Sequence, residues 1–166
     1  MKLTPAKPAL TSKKGEDLAI SDETLQKLMR DVLAKGALFH FRAKGWSMTP
    51  FIKNGDAITI APLIEEKPGI GKVVAFIQPL SGNLVVHRVI GRQGNAFLIQ
   101  GDNASGQADG LVQPQDILGC VTRVERNGRR VFLGLGLERF LLAILSRNGL
   151  LNALLYRLRS LKNACR

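Results

Sequence analysis

Cysteine is nearly absent from this sequence. The two present, Cys120 and Cys165, lie far apart and match no zinc or redox spacing. A disulfide framework is therefore not expected, and sparse cysteine favours a reducing compartment. Histidine is as scarce, with only His40 and His87. No metal-ligand cluster and no glycine-rich phosphate loop occur, so neither a metal nor another cofactor is expected. Long apolar runs are missing too. The nearest approach to the ~18 residues of a membrane span is 140–156, interrupted by Arg147, Asn148 and Gly149. Residues 1–20 lack the apolar stretch of a signal peptide. The expected location is the cytoplasm or the surface of a membrane.

Acidic residues are also few, 13 against 24 lysines and arginines, for a net charge of +11. Such a balance ordinarily points to nucleic acid or to an anionic membrane. Its distribution argues against nucleic acid. Residues 47–122 hold five basic and six acidic side chains, whereas 123–166 hold ten and two. A nucleic-acid-binding domain spreads its basic surface over its fold. Here the surplus is concentrated in a tail, and no nucleic-acid partner is expected.

The chain is long enough, at 166 residues with 45% hydrophobic and 22% charged, for one folded domain with a helical appendage. No internal repeat is visible. Residues 1–20 are polar, carry two prolines, and are expected to be disordered. A helix is expected over 21–35. Ser21 is a good N-cap, Asp22 and Glu23 suit the positive helix start, and Gly36 is a stop signal. Leu25, Leu28, Met29, Val32 and Leu33 recur with the helical period.

Beyond Gly36 the helical period disappears. Short β-branched and aromatic runs follow at about 38–42, 57–61, 73–78, 84–91, 96–100, 117–125 and 130–133. Asn54-Gly55-Asp56, Ser81-Gly82-Asn83, Gly94-Asn95 and Asn127-Gly128 separate them and supply turn conformations. Seven such strands predict a mainly β fold, an antiparallel barrel or folded sandwich, over 21–133. The tail, 134–166, reads as one kinked or two short amphipathic helices. Arg139, Arg147, Arg157, Arg159, Lys162 and Arg166 flank its leucines. That pattern suits peripheral contact with an anionic membrane; the plainer alternatives are packing on the domain or a surface for a helical partner.

Three stretches carry chemistry. They are Gly45-Trp46-Ser47-Met48-Thr49-Pro50-Phe51-Ile52, the strand around His87, and the loop Gly101-Asp102-Asn103 to Asp109. A serine hydroxyl needs an adjacent base to act as a nucleophile. An imidazole titrates near neutrality and can serve, given a carboxylate to orient it. Asp102 and Asp109 both qualify. Gly45 leaves room for a substrate, and the Ser47 N–H can face an oxyanion. By spacing alone, a Gly-x-Ser is usually a turn serine and a strand histidine a structural one. Trp46 and Phe51 suit either groove or core, and Met48 suits packing beneath the turn. His40 alternates with Phe39 and Phe41 and is expected to face solvent.

Taken together, the sequence resembles the signal peptidase I and LexA-type serine peptidase clan. The resemblance rests on Gly45-x-Ser47-Met48-x-Pro50-x-Ile52, Gly55-Asp56, Lys72-Val73-Val74-Ala75-Phe76, Val86-His87-Arg88-Val89 and Gly101-Asp102-Asn103, and spans about 37–125. It implies a serine endopeptidase domain over 21–133, with Ser47 as nucleophile and His87 as general base. Gly45, Trp46, Met48 and Pro50 would adjoin a peptide or precursor-protein substrate. Bacterial signal peptidase I and LexA-like proteins place lysine at position 87. SipW-like and endoplasmic-reticulum-type signal peptidases place histidine, so this chain is similar to the Ser-His branch. That branch also implies a loop aspartate; Asp109 matches best, Asp102 belongs to Gly-Asp-Asn, and the choice stays open.

Three departures stand out. A soluble helix occupies the place of the branch's membrane anchor, Lys72 replaces an aspartate common in the clan, and Gly45 offers no hydroxyl to an oxyanion. Two other functions compete. One is a LexA- or phage-repressor-like regulatory autopeptidase, disfavoured by a single N-terminal helix and by His87. The other is a non-catalytic interaction module on the same fold.

Overall fold

The computed structural model describes residues 21–63, 67–104 and 108–164. The segment expected to be disordered, 1–20, and Cys165 lie outside the described residues. Helix α1 (Asp22–Ala34) leads into strands β1 (Phe39–Arg42), β2 (Ala57–Ala61), β3 (Val73–Ile77), β4 (Leu84–Gln93) and β5 (Ala96–Gln100). Then come β6 (Leu111–Val112), a 3-10 turn at Pro114–Asp116, β7 (Ile117–Arg126), β8 (Arg129–Val131) and helices α2 (Arg139–Arg147) and α3 (Leu150–Ala164).

The Ser21 hydroxyl caps α1 by accepting the Thr24 N–H at 3.3 Å. Such a cap is worth about 1 kcal/mol. Met29 and Leu33 bury the helix face that the sequence period predicts.

All strand pairs are antiparallel in one eight-stranded sheet of order β1-β2-β7-β3-β4-β5-β6, with β8 on β7. Seven strands were expected; the eighth, β6, has two residues, too few for an alternating pattern to register. Among the described strands β1 and β6 are unpaired with each other, so the sheet is folded and open rather than a closed barrel.

Strand β3 explains the folding. Its run Val73-Val74-Ala75-Phe76 is buried on both sides. Val73 and Ala75 join a core with Met29, Leu33, Phe39, Ile58, Ile60, Val121 and Val124. Val74 and Phe76 join a second core with Val89, Phe97, Ile99, Val112 and Ile117. A continuous apolar strand must be covered on both faces. Here α1 and the sheet's own curvature supply the cover. Cys120 on β7 is half-buried beside the second core, and that burial pushes its thiol pKa up.

The C-terminal run forms two helices. They part at Asn148-Gly149, where Gly149 has a φ of +69° that favours glycine. Leu142 and Leu151 bury against Phe51, so the base of this helical pair touches the segment that carries Ser47. Among the described residues no helix is long and apolar enough to cross a membrane.

Candidate active site

Ser47 sits on a tight turn between β1 and β2. Gly45 opens the turn with a φ of +94°, and its N–H donates to Asn54 Oδ1 at 3.1 Å. The Thr49 N–H returns to Trp46 O, and the N–H groups of Phe51 and Ile52 return to Met48 O. The Thr49–Pro50 peptide is cis. Met48, Phe51 and Ile52 are buried, which anchors the turn and leaves Ser47 exposed. At the far end the Lys53 N–H donates to Asp56, and Arg126 grips the same carboxylate with two hydrogen bonds. Burial works to raise the Asp56 pKa. The hydrogen bonds from Arg126 and from the Lys53 backbone outweigh it and hold the pKa below its ordinary value.

His87 lies in β4, opposite Val74 of β3, and is 8% exposed. Its Nδ1–H donates to Asp109 Oδ2 at 2.5 Å. A carboxylate can only accept, so this bond assigns the proton of a neutral ring to Nδ1 and leaves Nε2 as the free base. Asp109 is held in turn. Its N–H donates to Ile99 O at 2.9 Å, and its Oδ1 accepts from Gln78 Nε2 at 3.4 Å. Gln78 Oε1 accepts from Ser81 Oγ at 2.7 Å, which fixes the amide.

Gly101 brings serine and imidazole together. A Cβ placed there would stand 3.1 Å from His87 Nε2, 3.2 Å from Ser47 Cβ and 2.9 Å from Ser47 O. The two side chains are thus neighbours across a position that admits only glycine. The Asn103 N–H locks the same loop onto Ser47 O at 2.7 Å, and Asn103 Nδ2 donates to Trp46 O. Among the described residues no hydrogen bond joins Ser47 Oγ to His87, and the Ser47 N–H is unbonded. Such contacts commonly tighten only when substrate binds.

Ser47, His87 and Asp109 all face one groove of about 390 Å³. Its walls are mostly apolar, including Phe41, Met48, Leu84 and Val86, and α1 contributes Asp22 and Leu25. Gly45 lines it as well. Met48, 4% exposed, touches the groove from within the first core. Trp46 and Pro50, expected beside a substrate, are not among the residues that line it. Trp46 is 64% exposed, and the backbone bonds of the turn aim it outward.

Asp102 also needs correcting as a candidate partner of His87. Its two oxygens accept from Arg88 Nε and Nη2, each at 2.7 Å, and both side chains are fully buried. Arg88 Nη1 donates to the carbonyls of Gly71 and Gly134 at 2.8 Å. Arg88 was not singled out as a site residue, although a signal existed. An arginine inside Val85-Val86-His87-Arg88-Val89-Ile90 must be buried, and a buried charge requires a partner. Gln78 offered no such signal; only the tertiary fold sets it beside Asp109. His40 is exposed on β1, and its Nδ1 is hydrogen-bonded to Thr59 Oγ1 at 2.9 Å, across from it on β2.

Among the described residues no three His, Cys, Asp or Glu side chains gather into a cation site. No curated protein matches the chain. A family comparison does: Peptidase S24-like matches residues 7–122, which takes in α1, the Ser47 turn, His87 and Asp109. With that match over most of its length, and with this mainly antiparallel β fold, the chain belongs to the Peptidase S24-like family.

Proposed function

We propose that the protein is a serine endopeptidase that works through Ser47, His87 and Asp109. The observation that carries the reading is His87 itself, bonded to Asp109 through Nδ1 with Nε2 beside Ser47 across Gly101. Substrate enters the groove as an extended peptide. His87 Nε2 takes the Ser47 proton as Oγ attacks the scissile carbonyl. The unbonded Ser47 N–H faces the developing oxyanion. His87 then returns the proton to the leaving amine, which frees the new N-terminus. Water, activated by the same imidazole, releases the acyl group from Ser47. Asp109 holds the ring orientation and stabilises its cation throughout.

Within the wider clan, histidine rather than lysine at position 87 supports the Ser-His branch. The occupied carboxylate on His87 and the open groove favour an enzyme over a non-catalytic module. Ser47→Ala tests the reading. The variant keeps the wild-type melting temperature and loses cleavage of any peptide that the wild type cuts. Full activity in Ser47→Ala defeats it.

A further inference from the structure

Helix α2 is apolar on two sides. Its inner side, Leu142, Ala143 and Ser146, is buried. On the other side Leu137, just before the helix, and Phe140, Leu141 and Ile144 follow at i, i+3, i+4 and i+7. They are 83%, 45%, 58% and 56% exposed. Isolated exposed leucines need no explanation, but a continuous stripe does. The flanking elements add to it. Phe132 and Leu133 follow β8, and Leu150, Leu154 and Tyr156 lie on α3; all are exposed.

Cations are interleaved with this apolar surface. The Arg130 guanidinium lies 4.9 Å from the Phe132 ring centroid, and that of Arg139 lies 4.8 Å from Phe140. Arg129, Arg147 and Arg157 are exposed. From residue 126 to 166 the sole acidic side chain is Glu138. Its carboxylate is turned back onto the N–H groups of Gly134 and Gly136 at 2.7 and 3.0 Å.

We propose that this C-terminal face docks on the surface of an anionic lipid bilayer, with α2 lying in the plane of the interface. An apolar stripe bordered by arginine, on a helix that cannot span, is the chemistry of interfacial attachment. Charge decides the occupant. A second copy would bring together two segments, 123–166, that each hold ten basic and two acidic residues. An anionic leaflet neutralises them, strengthening binding about fivefold for each arginine near the surface. The proposal stands independently of the peptidase reading.

The test is sedimentation of the full chain with vesicles of phosphatidylcholine alone or mixed equally with phosphatidylglycerol. Binding to the mixed vesicles is expected, with weak binding to phosphatidylcholine and release by high salt. Leu141→Asp with Ile144→Asp, both at exposed positions, lowers partitioning at least tenfold while the melting temperature holds. Arg129→Gln with Arg130→Gln lowers it by about twenty-five-fold. Three results overturn the proposal: no binding to mixed vesicles, equal binding to both vesicle types, or equal binding by the wild type and Leu141→Asp/Ile144→Asp. So does a lipid-free dimer that Leu141→Asp/Ile144→Asp converts to monomer, since the face would then belong to a second copy.

Discussion

Arg88 and Asp102 form a fully buried pair joined by two parallel hydrogen bonds of 2.7 Å. Arg88 follows His87 on β4, and Asp102 belongs to the loop that packs against Ser47. The pair therefore ties the strand of His87 to the loop behind Ser47. Removing one partner strands a buried charge, which costs about 3–5 kcal/mol. Arg88→Met should lose that much stability in urea denaturation. Arg88→Met with Asp102→Leu should recover most of it, because neither charge then remains buried. A loss under about 1 kcal/mol in the single variant would contradict the pairing argument.

Asp109→Asn probes the orientation of the imidazole. An asparagine amide can donate to Nδ1, which moves the ring proton to Nε2 and removes the free base. The expected result is a fall of about 10⁴-fold in turnover, with little change in melting temperature. Reaction of Ser47 with a fluorophosphonate, where the wild type reacts, should slow in parallel. An unchanged rate in Asp109→Asn removes Asp109 from the mechanism.

Gly101→Ala tests the close approach of Ser47 and His87. The added methyl would meet His87 Nε2 at 3.1 Å and Ser47 O at 2.9 Å, so the loop or the ring must shift. Overpacking of this kind costs about 1–3 kcal/mol. If Ser47 and His87 react as proposed, activity should fall far more than stability, because the clash lies between them. Thermal unfolding and cleavage rate, measured on one preparation, separate the two effects.

Acid should weaken the serine turn through Asp56. Its folded-state pKa lies below the ordinary value of 3.8 because Arg126 and the Lys53 N–H bind its carboxylate. A depressed carboxylate pKa adds stability that is fully present above the unfolded-state value. That stability is lost as pH falls through the folded-state value. The melting temperature of the wild type should therefore drop below about pH 4. Asp56→Asn should be less stable at neutral pH and should show a smaller acid-induced drop. Parallel pH profiles for the two proteins would refute this.

Much of the fold was legible in order. The N-cap and period at Ser21–Leu33 and the turn glycines between strands are local signals, and the elements formed where those signals stood. Ser47 and His87, which the fold sets side by side at Gly101, were legible too, as a serine on a glycine turn and a histidine in an apolar strand. The directions of Trp46 and Pro50 were not legible, because a motif does not reveal which way a turn aims its side chains. The buried contacts of Met48, Phe51 and Ile52 make that choice.

The choice between Asp102 and Asp109 was not open to sequence reasoning. Both lie in one polar loop, and either could reach a histidine. Successive residues of a strand point to opposite faces, so His87 and Arg88 look in opposite directions. Asp102, just past the end of β5, meets Arg88. Asp109 returns beside Ile99 and meets His87. Sequence alone determined the residue types, the turn positions and the uneven placement of charge, because each depends on near neighbours. Tertiary structure decided which carboxylate meets His87 and which meets Arg88, and which tail leucines stay uncovered. Those depend on contacts between residues distant in the chain.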